Sequence, residues 1–198
     1  KSLISHITDA ISGTSLYRKA SFLLDSIDQQ ICPDYLTITE DPHLKCSFGS
    51  TYFDGEGVKT KPRTLVEQGT LRGYLLSSYS ARRLGLKTTG NAGGHHNLLI
   101  EPNLSGGLEE IIKTMTTGLV VTNLIGYGVN TVNGDYSRGA NGFWVENGEI
   151  QYPVSEITIA GNLKNILQRI VLIGNDLDKN STIHSGSILV DDMMIAGQ

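Results

Sequence analysis

The sequence predicts an α+β domain, mainly antiparallel sheet with hairpins and a few packed helices. Leu108, Ile111, Ile112 and Met115 stand at i, i+3, i+4 and i+7, and Leu163, Ile166, Leu167 and Ile170 repeat that spacing, which marks two amphipathic helices. In FWVENGEIQY, apolar residues flank Asn147-Gly148, a pair suited to the positive φ angles of a two-residue type I′ turn. Helices fall among hairpins without the regular alternation of a parallel βαβ fold.

Taken in order, Leu3, Ile4, Ile7 and Ile11 share one face of a first helix that Gly13 ends. A second helix is expected from Tyr17 to Gln30, stopped by Pro33, and then a strand over Tyr35 to Thr39. The Gly-rich, polar run from Pro42 to Thr60 reads as loop, and TLVEQGTLRGYLL as two strands around Gln68 and Gly69. Ser77 to Lys87 forms a short helix with a solvated basic side, followed by a glycine-rich loop. Gly118 is placed to end the Leu108 helix before a strand over Leu119 to Val121. The register expected of the second hairpin pairs Val145 with Ile150 and Phe143 with Tyr152, leaving Glu146 opposite Glu149 in solvent.

Composition narrows the function classes. The 198 residues suffice for one domain with its own core, and 39% hydrophobic with 18% charged residues fits a globular chain. The 23 glycines point to many tight turns. Cys32 and Cys46 are too few for a disulfide framework and lack metal-ligand spacing, so a reducing cytoplasm is expected. No apolar run reaches membrane-spanning length, and the start at Lys1 reads as a piece of a longer protein rather than a secretory signal. A net charge of −4 argues against a nucleic-acid partner, which needs clustered Lys and Arg.

A self-sufficient catalytic set is not legible. The histidines are His6, His43, His95, His96 and His184, and no two have the spacing of an H-E-x-x-H helix. His95 and His96 would project to opposite sides of a strand; in GNAGGHHN the expected roles are structural, one imidazole hydrogen-bonded and one exposed, with a ligand role as the alternative. Gly49-Ser50 and Gly186-Ser187 lack a nucleophile elbow, Cys32 reads as an ordinary thiol, and Glu109 and Glu110 would repel a phosphate from the Leu108 helix.

Long blocks carry a resemblance: SLYRKASFLLDSIDQQICPDYLTI, FDGEGVKTKPRTLVEQGTLRGYLLSSYSARRLGLKTTGNAGG, GVNTVNGDYSRGANGFWVENGEIQYPVSEITIAGNLKNILQRIVLIGNDL and the final IAGQ. They resemble, in order and spacing, the PmbA/TldE branch of the TldD/PmbA peptidase family over essentially the whole chain. The match implies one carboxy-terminal domain over 1–198, with the amino-terminal domain absent. It also implies a cytoplasmic bacterial complex of two related subunits that degrades or trims unfolded peptides and matures a peptide antibiotic. In the TldD branch a His-Glu, three residues, His motif binds zinc. The matching stretch here, LISHITDAISG, has His6 alone, and that branch's later zinc-binding Cys matches His184, a weak metal candidate.

The resemblance therefore implies a subunit with no catalytic residues and no cofactor of its own, paired with a TldD-like subunit that carries the zinc. The surface expected to touch peptide or partner is Gly134, Asp135, Tyr136, Ser137, Arg138 and Gly139; an Asp135–Arg138 ion pair pinning that loop is the alternative. Edge strands or glycine-rich loops would hold an extended peptide through main-chain hydrogen bonds. Two further readings stand beside this one: a peptidase acting alone through a non-standard set including His184 or a hydroxyl, and a regulator of DNA gyrase. In isolation the chain is expected to be able to form an isologous homodimer.

Overall fold

Two mainly antiparallel sheets close on a shared apolar core in the computed structural model, which describes residues 1–197 and leaves Gln198 of the IAGQ run outside the described residues. The amino-terminal part consists of α1 (Ser2–Ala10), α2 (Gly13–Tyr17), β1 (Ile38–Glu40), β2 (Arg63–Glu67), β3 (Thr70–Leu71), α3 (Ser78–Leu84) and β4 (Leu98–Ile100). Next come α4 (Leu108–Thr114), β5 (Thr117–Ile125), β6 (Asp135–Glu146), β7 (Glu149–Asn162) and α5 (Leu163–Gln168). The chain finishes with β8 (Ile170–Ile173), β9 (Ile183–His184), β10 (Ile188–Val190) and β11 (Met194–Ala196). One sheet has the order β3-β2-β1-β4-β9, the second β11-β7-β6-β5, and β10 pairs with β8 alone. All named pairings are antiparallel except β4 with β9.

The apolar stripe of α1 explains its position. Ile4 and Ile7 are buried among Leu36, Ile38 and Leu98 of the first sheet side and Tyr136, Ala140 and Ile159 of the second. Leu163, Ile166 and Leu167 of α5 enter the same cluster, as their helical spacing requires. Burial of several full-sized aliphatic side chains, each contributing about 1.5–3 kcal/mol before entropy is counted, joins the two sheets into one unit.

Several elements depart from expectation for local reasons. The helix expected over Tyr17–Gln30 stops at Tyr17: Lys19, Asp25 and Asp28 have φ of 56°, 57° and 60°, a left-handed conformation no helix can contain. Tertiary partners take over its backbone groups, as Phe22 N–H donates to Thr131 O at 2.8 Å and Asp28 N–H to Leu71 O at 2.8 Å. The strand expected over Tyr35–Thr39 begins only at Ile38, because Leu36 N–H turns back to Pro33 O at 3.0 Å. Leu98–Ile100, where no element is expected from the sequence, is the strand between β1 and β9. Gly118 lies within β5 rather than capping α4, and Ile170 opens β8 rather than closing α5.

The second hairpin has the expected turn, with Asn147 at φ 50° and Gly148 at φ 80°. Val145 pairs with Ile150 and Glu146 with Glu149, but a bulge between Trp144 and Val145 pairs Tyr152 with Trp144 and Phe143 with Pro153. Its tip sits on α4: Asn147 N–H donates to Thr116 O and Gly148 N–H to Met115 O, over a small cluster of Ile112, Val120 and Val145.

Candidate functional site

The segment 134–139 is not a free loop. Gly134, at φ 87°, turns the chain, and the remaining five residues are the first five of β6. Strand alternation sends Tyr136 and Arg138 toward the core and leaves Asp135 and Ser137 exposed on the opposite side. An Asp135–Arg138 pair is thereby ruled out. Asp135 instead accepts from Asn133 Nδ2 at 2.7 Å and Asn162 Nδ2 at 3.2 Å, bracing the turn at the mouth of β6 and β7.

Tyr136 and Arg138 border a cleft of about 550 Å³ between the start of α1, β5, β6 and the segment 186–193. Tyr136 is 7% exposed and meets the His6 imidazole edge-on, ring centroids 5.8 Å apart. His6 Nε2 and Arg138 Nε are both buried without a hydrogen-bond partner. Burial lowers the His6 pKa, with Asp9 opposing and Arg138 adding to the effect, so the imidazole is neutral near pH 7. Burial likewise raises the Tyr136 hydroxyl, while Arg138 opposes it.

The other histidines are held apart. His184, 7% exposed, places Nε2 3.2 Å from Ser47 Oγ, which donates to Asn97 Oδ1 at 2.8 Å. Asn97 Nδ2 in turn donates to Asp41 O and Ser50 Oγ, so this network fastens the 41–50 loop to β4 and β9. The residues His95 and His96 precede β4 rather than lying in it, and neither is exposed: His95 Nε2 is 3.0 Å from Thr182 Oγ1, and His96 Nε2 donates to Gly90 O at 2.9 Å. A carbonyl accepts only, so that bond fixes the proton of His96 on Nε2. Burial raises the Cys32 thiol to about 12, an inert group.

Sequence reasoning missed a buried carboxylate, Glu40, which is 1% exposed. Its Oε2 accepts from Arg63 Nε at 2.8 Å, and its Oε1 from Asn91 Nδ2 and His96 N–H, each at 2.8 Å. Arg63 also donates to Tyr74 O and Asn91 Oδ1. This network holds the glycine-rich 90–97 segment to β1. The only hint in the sequence was a charged residue ending an apolar strand.

A family model described as the PmbA/TldA metallopeptidase C-terminal domain matches residues 1–197. The metalloprotease PmbA of Escherichia coli O157:H7 is 58% identical over 197 residues, 99% of this chain and 43% of its own. The chain belongs to this PmbA/TldD metallopeptidase family. A crystal structure from Bacteroides thetaiotaomicron, named as a candidate modulator of DNA gyrase, superposes with a TM-score of 0.94 at 34% identity, covering 99% of this chain and 44% of its own. TldE from Thermococcus kodakarensis does so at 0.83 and 29%, covering 96% and 46%. The chain thus spans less than half the length of these PmbA/TldD relatives.

The family name implies a metal, and the donors of this PmbA/TldD domain do not fit one. The stretch matched to the zinc motif, Leu3 to Gly13, forms α1 and the start of α2, with His6 against Tyr136 and no other imidazole on the helix. Among the described residues no three His, Cys, Asp or Glu side chains gather as a metal site, whereas zinc takes about three or four protein ligands. Among the described residues, no helix is long and apolar enough to cross a membrane.

Proposed function

We propose that this chain is the carboxy-terminal domain of a subunit that completes the peptide-binding chamber of a two-subunit cytoplasmic metallopeptidase, the zinc residing in a TldD-like partner. The observation that carries this reading is the donor set around His6: a member of a metallopeptidase family has, where zinc ligands are expected, one imidazole packed on a tyrosine. Its contribution is shape. Positioning a peptide and excluding water need packed strands and loops but no acid, base or metal from this chain.

Strand β5 suits that role, since it is one of the two edge strands of its sheet and borders the cleft through Val121 to Leu124. An extended peptide added to such an edge is held by main-chain hydrogen bonds, independently of its sequence. The gyrase association belongs to the named Bacteroides protein; a net charge of −4 gives this chain little attraction for DNA phosphate.

The test is reconstitution. The chain, and its longer natural form, are purified with and without a TldD-like subunit, and zinc content and cleavage of an unfolded peptide are measured in each. Zinc and cleavage should appear only with the partner. About one zinc per chain in the isolated protein, lost on His184→Ala, would overturn the reading.

A further inference from the structure

Arg138 has no counter-charge among the described residues. Among the described residues its guanidinium makes no ion pair and no hydrogen bond, and its Nε is buried. The residues bordering the cleft include no Asp or Glu. Lys1, the other cation there, is paired through Nζ with Asp178. A guanidinium carries five N–H donors in a planar fork, and a partly buried one without an anion is an arrangement that folding alone does not favour.

The walls around it mix apolar side chains, Leu3 from α1, Leu124 from β5, Ile159 from β7, and Ile188 and Val190 from β10, with the polar Ser2, Thr122, Asn123 and Ser187. An apolar patch beside one unpaired guanidinium complements an apolar side chain next to a carboxylate, and the neighbouring hydroxyls and amide can meet peptide groups. Within a peptide, that combination occurs at a carboxy-terminal residue with an aliphatic side chain.

The geometry points to the cleft beneath β5 as a subsite for the free carboxy terminus of a peptide ending in an aliphatic residue, with Arg138 receiving the carboxylate. Arg138 is held where it can do this by its register opposite Ile159 in the middle strands of the sheet. The assignment rests on the reading of this chain as a peptide-binding subunit. It concerns binding to the chain itself, so it is tested without the zinc-bearing partner, and its failure is distinguishable from failure of that partnership.

The experiment is calorimetric titration of the full chain with three blocked peptides: Ac-Gly-Ala-Leu with a free carboxylate, the same peptide as its amide, and Ac-Gly-Ala-Asp-amide. The free acid should bind at least about tenfold more tightly than either amide, the difference expected when a charge-assisted forked contact is lost. Arg138→Gln should bind acid and amide alike at an unchanged melting temperature. Thr122→Glu, on an exposed position of β5 bordering the cleft, adds a carboxylate and should weaken the free acid even if Arg138→Gln proves too unstable to assay. Equal binding of acid and amide by the natural chain overturns the proposal, as does no binding of the acid at millimolar concentration. Retention of the preference in Arg138→Gln, or in Thr122→Glu if that is the variant assayed, overturns it too. If Ac-Gly-Ala-Asp-amide equals the free acid, the site accepts any carboxylate and its assignment to a peptide terminus fails.

Discussion

The His6 imidazole stands edge-on to the Tyr136 ring, at 72° between planes, and its Nε2 is buried without a partner. Such a group favours the neutral form, and burial is the leading cause. His95 is lowered by burial as well, against the opposing pull of Glu40 and Asp9 and with a smaller push from His96. A histidine whose folded pKa lies below its unfolded one lets the unfolded chain take the proton first. Stability is then complete above the ordinary value of about 6.5 and falls as pH drops through it toward the lowered folded values. Urea unfolding from about pH 7.5 to about pH 5.5 should show this loss, and His6→Phe should flatten part of the slope. An unchanged slope in that variant would place the acid sensitivity elsewhere.

The pair of buried Glu40 and partly buried Arg63 predicts a large stability effect. Glu40→Ala leaves the guanidinium, the Asn91 amide and the His96 N–H without their acceptor. Removing one member of a buried pair costs about 3–5 kcal/mol, so denaturant midpoints should fall sharply. Exposed pairs provide the contrast: Lys113→Ala breaks its contact with Glu110 and should leave the midpoint nearly unchanged, because solvent screens that pair.

Gly142 in β6 is a second point of intolerance. A Cβ there would lie 1.9 Å from the Val120 carbonyl oxygen of the neighbouring strand. Gly142→Ala should therefore destabilise by about 1–3 kcal/mol, the usual cost of forcing extra volume into packed structure. Gly57 offers the comparison, since a Cβ there meets nothing within 4 Å and only its positive φ of 78° resists substitution. Thermal melts of both variants should rank Gly142→Ala as the worse.

What could be read from the sequence was whatever depends on spacing a few residues apart. The stripes of α1, α4 and α5 and the turn at Asn147-Gly148 have local causes, and they formed near the expected places. The span from Arg18 to Gln30 did not, because its backbone is satisfied by Thr131 and Leu71, residues far away in the chain. The bulge at Trp144 and the strand Leu98–Ile100 likewise depend on partners that periodicity does not name. At the candidate site, Arg138 was visible as a residue, yet its side of the strand was set by the register of β6 with β7. That register also removes the ion-pair alternative for Arg138. With Asp135 on the other side, Arg138→Ala removes no ion pair; if the segment touches peptide or partner, the variant should weaken the reconstituted complex while leaving the melting temperature nearly unchanged.

The separation of the histidines leads to a prediction about catalysis. If this subunit shapes the chamber without supplying an acid, base or ligand, no single imidazole should be indispensable to a complex with the zinc-bearing subunit. Each has a structural reason to be present: His6 packs on Tyr136, His95 contacts Thr182, and His184 contacts Ser47. His6→Ala, His95→Ala and His184→Ala, each assembled with the intact partner, should therefore keep activity within about tenfold, since losing a true general acid or base costs about a hundredfold or more. His184→Ala needs the closest control, because Ser47 would lose a partner in a network that fastens a loop. Gel filtration and a thermal melt of each assembled variant separate that cost from a chemical one. A hundredfold loss in a variant that assembles and melts normally would show that this subunit donates a catalytic group to the site.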